Sequence, residues 1–95
     1  MSEQALTRSV KISNRKGLHA RASAKLARLA TTLPTQITVH YDGETADARS
    51  IMDLLCLGAA FGATITITAS KQDGQIALDQ VEALINDGFG ELQDE

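Results

Sequence analysis

The chain has 95 residues, with nine Lys and Arg against twelve Asp and Glu, a formal net charge of −3. That length fits one core of about 100 residues, and a content of 43% hydrophobic and 22% charged residues is that of an ordinary globular domain rather than a disordered one. Aromatic residues at 3%, no Trp and an acidic balance argue against a stacking platform for single strands and against a general nucleic-acid binder.

Taken in chain order, Val10 and Ile12 alternate with Ser9 and Lys11, so residues 7–12 read as a strand with one apolar face. Ala22, Leu26, Leu29, Ala30 and Leu33 form the stripe of a helix from Ala20 to Thr32, which Pro34 keeps from running on. Ile37, Val39 and Tyr41 alternate along a second strand. Asp42-Gly43 is a hairpin turn signal, and Ala46 and Ala48 continue a weak third strand. Ser50 opens a short helix carrying Ile51, Leu54 and Leu55, with Gly58 as its stop. Ile65, Ile67 and Ala69 alternate with threonines in the cleanest strand of the chain. Leu78, Val81, Leu84 and Ile85 stripe a third helix that ends near Asp87-Gly88.

The order is therefore β-α-β-β-α-β-α. Strands with one apolar face need helices over that face, so the expected fold is α+β: a two-layer open-faced β-sandwich, with a four-stranded antiparallel sheet covered on one side by three helices. A single domain is expected over 1–95, with fraying tails at 1–5 and 92–95.

Charge is unevenly spread. Residues 1–30 hold seven bases and one acid, whereas residues 31–95 hold two bases and eleven acids. A basic first third in an acidic protein points to a local anion site. Lys16-Gly17-Leu18-His19-Ala20-Arg21 lies between the first strand and the first helix. Gly17 permits a sharp turn, and His19 falls where the unpaired N–H groups and positive pole of the helix favour a phosphate. The helix start at Ala20, Arg21 and Ala22 supplies the donors, and Arg21 adds a planar fork suited to phosphate oxygens. The helix pole and the guanidinium both disfavour imidazolium, and neutral imidazole is the form that attacks phosphorus. From spacing alone, an ordinary residue at a helix start explains His19 equally well.

The remaining candidates have bland readings. His40 alternates with Thr38 on the polar side of a strand and reads as a surface residue. Cys56, the only cysteine, lies in an apolar run and reads as a small core hydrophobe. Ser50, with Asp53 three residues on, reads as a capping box; phosphorylation of Ser50 stays open beside it. There is no metal-ligand spacing, signal peptide or apolar run of about 18 residues, so a cytoplasmic protein with no metal or membrane association is expected.

Asn14-Arg15-Lys16-Gly17-Leu18-His19-Ala20-Arg21 closely resembles the active-site motif of the HPr family, the phosphocarriers of the bacterial phosphoenolpyruvate-dependent phosphotransferase system. Arg49-Ser50-Ile51-Met52 resembles its second signature, about thirty residues on, and the element order matches throughout. The resemblance implies a sheet order of 1-4-2-3. It also implies a monomeric phosphocarrier, not itself an enzyme and without a cofactor. Enzyme I would phosphorylate His19 at Nδ1, and His19 would pass the group to an EIIA-type protein while Arg21 stabilises it. Ile51, Met52 and Leu55 would dock both partners, and an HPr kinase/phosphorylase is the enzyme that would act on Ser50. The ending Ile85-Asn86-Asp87-Gly88-Phe89-Gly90-Glu91 resembles the nitrogen-related branch, NPr, which implies a nitrogen-related enzyme I and a nitrogen-related EIIA. A sugar-type carrier and a regulatory module acting through the Ser50 helix are the alternatives. Two departures stand out. Ala22-Ser23 replace the usual Pro-Ala, which restores a backbone N–H in the first helical turn, and Asp53 stands where many members have Gly.

Overall fold

The computed structural model describes residues 6–70 and 74–92. Four strands, β1 (Leu6–Lys11), β2 (Ile37–Tyr41), β3 (Glu44–Asp47) and β4 (Thr64–Ala69), form one sheet in the order β1-β4-β2-β3, with every pairing antiparallel. This is the order that the resemblance implied. Three helices, α1 (Ala20–Thr32), α2 (Ile51–Leu57) and α3 (Gln75–Asn86), contribute to the same core.

Period-two alternation places the strands' apolar residues on one face. Val10, Ile37, Val39, Ala46, Ile65, Ile67 and Ala69 are buried there, while Ser9, Thr38, His40, Thr45, Thr66 and Thr68 line the other. Ala22, Leu26, Ala27 and Ala30 of α1, Leu54 and Leu57 of α2, and Leu78, Val81 and Ile85 of α3 close the core. His40 is half-buried on the open face, opposite Thr66 and Thr45.

Helix α1 has the expected bounds. Its C-terminal end is tied by the Arg49 guanidinium, which donates to the Leu33 carbonyl at 3.3 Å. The β2–β3 hairpin turns at Asp42 and Gly43 with φ of 52° and 81°, the paired left-handed conformations of a two-residue turn matched to strand twist. Two elements differ slightly from the expectation. The first strand begins one residue earlier, at Leu6, and Ala48 lies just beyond β3, where its N–H reaches the Ile37 carbonyl at 3.0 Å.

One reading needs correction. Cys56 is exposed rather than in the core. In so short a helix only Leu54 and Leu57 reach full burial, and Cys56 points to the other side. At the C-terminal end, the Leu92 side chain lies beside Gly88, where a Cβ would fall 2.5 Å from Leu92 Cγ, and is 45% exposed. Residues 1–5 and 93–95, the rest of the expected tails, lie outside the described residues.

After α3 the chain makes a 3₁₀ turn over Gly88–Gly90. Phe89 inside it has φ of 56°, and the side chain is fully buried. A left-handed conformation costs a non-glycine residue about 1–2 kcal/mol. Burying the benzyl group contributes about 1.5–3 kcal/mol, enough to hold the turn. Lys25 adds to it by donating to the Phe89 carbonyl at 2.6 Å. The turn directs residue 91 back toward the start of α1.

Candidate functional site

The loop from β1 to α1 is sewn to the loop after α2. The N–H of Ile12 reaches the Ala63 carbonyl at 2.8 Å, that of Gly62 the Ile12 carbonyl at 2.9 Å, and that of Leu18 the Ala59 carbonyl at 3.0 Å. Gly17 is required twice over. Its φ is +64°, and a Cβ there would lie 2.6 Å from the Ala59 carbonyl oxygen and 2.8 Å from Ala60 Cα. This close passage carries the chain into α1 with His19 as its N-cap residue, in extended conformation.

His19 makes no side-chain cap, so its imidazole is not spent on the helix end. Its carbonyl accepts from Ser23 N–H at 2.8 Å, the first bond of the helix. The N–H groups of Ala20, Arg21 and Ala22 precede that bond and have no carbonyl within the helix to serve. Ser23 Oγ donates to the Leu18 carbonyl at 3.2 Å, which holds the turn before the helix. Arg21 is exposed, and its guanidinium has no hydrogen-bond partner among the described residues.

The imidazole has a partner that the sequence reading did not find. His19 Nε2 lies 2.7 Å from Glu91 Oε2. His19 is 24% exposed at the side chain, whereas Glu91 is only 5% exposed as a residue. The other carboxylate oxygen accepts from Asn14 Nδ2 at 3.0 Å, and the same amide nitrogen donates to the Gly17 carbonyl at 2.9 Å. Asn14, the first residue of the recognised motif, is fully buried. Burial pushes the Glu91 carboxyl up. The hydrogen bonds from Asn14 and His19 and the charges of His19 and Arg21 outweigh it, and hold the carboxyl below the ordinary glutamate value.

The sequence reading surrounded His19 with positive charge alone; the fold inserts a carboxylate beside the ring. Glu91 sits 72 residues away in sequence, so periodicity and local spacing carried no sign of the contact. The buried Gly88-Phe89 pair just before it was the available signal: a Gly-X-Gly turn after a helix reverses the chain.

The basic first third is partly structural. Arg8 pairs with Asp79 and Glu82 of α3, and Lys25 serves the Phe89 carbonyl. Lys16, Arg21 and Arg28 are exposed. An open groove of about 390 Å³, lined by Lys25, Arg28, Leu29, Thr32 and Leu84, does not include His19, Arg21 or Glu91.

At α2, Ser50 is the N-cap and its Oγ accepts from Asp53 N–H at 3.1 Å, as the capping box requires. The Asp53 carboxylate turns away from the cap to accept from Asp47 N–H at 3.3 Å. Ile51 and Met52 are 42% and 67% exposed, and Leu55 is half-buried. Phe61, in the loop that lies against Gly17, is 61% exposed and was not singled out from sequence. Among the described residues no group of three His, Cys, Asp or Glu could hold a metal ion, and no helix is long and apolar enough to cross a membrane.

Residues 6–87 match the family described as PTS HPr component phosphorylation site. The phosphocarrier protein HPr of Cupriavidus necator is 44% identical over 86 residues, spanning 90% of this chain and 97% of that protein. The phosphocarrier protein NPr of Shewanella violacea is 43% identical over 86 residues, spanning 90% and 94%. Among solved structures, an HPr from Thermoanaerobacter tengcongensis superposes with a TM-score of 0.84 at 32% identity, covering 90% of this chain and 96% of that one. An HPr from Bacillus anthracis gives 0.80 at 32% identity, covering 85% and 96%. A match over nearly the whole chain, in sequence and in fold, places this protein in the HPr family, the phosphocarriers of the phosphotransferase system.

Proposed function

We propose that His19 is the residue that carries the phosphoryl group, on Nδ1. The observation that carries this reading is the engagement of Nε2 by Glu91 while Nδ1 has no partner among the described residues, at the N-cap of α1. A phosphoryl group on Nδ1 would be held by the N–H groups of Ala20, Arg21 and Ala22 and by the Arg21 guanidinium. Negative charge builds on the equatorial oxygens of a loose phosphoryl-transfer transition state, and these donors suit it. Enzyme I is the donor and an EIIA-type protein the acceptor in this reading. Ile51, Met52 and Leu55 supply apolar docking contacts, and Ser50 acts as a helix cap.

The finer reading is the nitrogen-related branch, supported by the ending Asn86-Asp87-Gly88-Phe89-Gly90-Glu91. Relatives named HPr and NPr stand at 44% and 43% identity, so the sugar-type reading has its own support. The exposure of Ile51 and Met52 also favours a reading in which α2 binds a regulatory partner and His19 is incidental. One experiment separates these. The chain is incubated with phosphoenolpyruvate and either a nitrogen-related or a sugar-type enzyme I. The expected product is an acid-labile, base-stable phosphoprotein, formed faster with the nitrogen-related enzyme and absent in His19→Ala. Faster loading by the sugar-type enzyme would reverse the branch assignment. No labelling by either would reject the carrier reading.

A further inference from the structure

We propose that Glu91 is a positioning residue that fixes the His19 imidazole in its Nε2–H tautomer and thereby leaves the Nδ1 lone pair as the nucleophile; this rests on the phosphohistidine reading above. An ionised carboxylate only accepts hydrogen bonds. At 2.7 Å from Glu91 Oε2, the Nε2 of a neutral His19 must therefore carry the hydrogen, and Nδ1 must carry the lone pair. Glu91 is itself fixed. Its second oxygen accepts from Asn14 Nδ2, whose other hydrogen goes to the Gly17 carbonyl. Turning the Asn14 amide over would aim its oxygen at two acceptors. The Asn14 oxygen is buried without a partner among the described residues, so the amide is aimed by its two donor bonds alone. Polarity thus runs one way, from Asn14 to Glu91 and from His19 to Glu91.

The same contact suits the transfer step. The Nδ1 lone pair attacks phosphorus on a donor phosphohistidine whose other ring nitrogen is protonated. The P–Nδ1 bond forms, the donor's P–N bond breaks, and that electron pair returns to the donor ring, which leaves as neutral imidazole. His19 keeps its hydrogen on Nε2, so positive charge appears on its ring. The Glu91 carboxylate already faces that charge, and no proton has to move.

This assignment makes an unusual demand of the conservative variant. In Glu91→Gln the side-chain oxygen must face the Asn14 donor, which leaves the amide NH₂ facing His19. Nε2 then becomes an acceptor, the hydrogen moves to Nδ1, and the nucleophile is blocked. Glu91→Ala removes the constraint without reversing it. Phosphorylation of the full chain by enzyme I and phosphoenolpyruvate is measured at about pH 8, above the ordinary imidazole range. The rate should fall on the order of 100-fold in Glu91→Gln, by analogy with a wrong-tautomer histidine, and less in Glu91→Ala. Ring ¹⁵N chemical shifts report the tautomer directly: Nε2–H in the wild type, Nδ1–H in Glu91→Gln. A merely structural role predicts the opposite order, with alanine the worse substitution. Should Glu91→Gln load as fast as wild type, or faster than Glu91→Ala, the assignment of Glu91 is wrong while the phosphohistidine reading stands. A wild-type ring found as Nδ1–H overturns it without any variant. A wild type that is never labelled rejects the phosphohistidine reading itself.

Discussion

Gly17→Ala is the sharpest test of how the loop before α1 builds the site. Two costs add. The first is conformational: alanine at φ of +64° pays about 1–2 kcal/mol for the left-handed region. The second is steric. The new Cβ would stand 2.6 Å from the Ala59 carbonyl oxygen and 2.8 Å from Ala60 Cα. Both are backbone atoms, and they are pinned by the Leu18–Ala59 bond at 3.0 Å and the Ala63–Ala60 bond at 3.0 Å, so neither can swing aside. Overpacking of this kind costs about 1–3 kcal/mol. The total is roughly 2–5 kcal/mol, or a fall of roughly 8–40 °C in Tm for a chain of this size. Gly58→Ala is the matched control. Its φ is +67°, nearly the same, but the added Cβ would meet nothing within 4 Å. It should lose only the conformational part, about 1–2 kcal/mol. Thermal and urea denaturation followed by circular dichroism measure both. Equal losses in the two variants would show that the passage against Ala59–Ala60 is not tight, and the steric argument would fall.

Three further predictions concern the site and its neighbours. Ser50→Ala removes the bond to Asp53 N–H and should lower stability by about 1 kcal/mol, read from urea midpoints; no change would mean the cap contributes nothing. Met52→Glu should leave Tm unchanged, since Met52 is 67% exposed, while raising the apparent KM for phosphorylation by enzyme I; an unaltered KM would remove Met52 from the docking surface. Glu91 is held below its ordinary value, so between the two values the unfolded chain binds more protons than the fold. Its contribution to stability is complete above the ordinary glutamate value of about 4.3 and is lost as pH falls through the folded value. The stability gap between wild type and Glu91→Gln should therefore shrink in acid, and a gap that stays constant down to about pH 2 would refute the linkage.

The fold was legible because its signals are local. Period-two runs marked Ile37–Tyr41 and Thr64–Ala69, an apolar stripe marked α1, and Ser50 and Gly58 bracketed α2. Half of the candidate site was legible for the same reason: Gly17, His19 and Arg21 fall within five residues of one another. Cys56 was misread because an apolar run in a seven-residue helix still has an outward side. Glu91 was missed because its partner lies across the molecule, and because a carboxylate near a C-terminus, counted with the other acids, reads as solvated surface. The structure reverses that reading through Phe89. Burying its ring draws the chain back over α1, and the residue two positions later arrives at the imidazole.

The contact also changes what the charge asymmetry means. Counted along the chain, the basic first third looked like one anion site. In space it divides into different tasks. Arg8 is neutralised by Asp79 and Glu82, and Lys25 is committed to the Phe89 carbonyl, so neither is needed to explain anion binding. Arg21 keeps an uncommitted guanidinium, and one acid from the remainder joins it at the ring. A group that must both accept and release a phosphoryl needs its positive charge placed on the phosphoryl side and its negative charge on the side of the ring. On the proposed reading, more positive charge around His19 would hold the phosphoryl group but oppose the imidazolium that would carry it. A guanidinium beside the helix start and a buried carboxylate on Nε2 meet both demands, which a count of basic residues alone does not reveal.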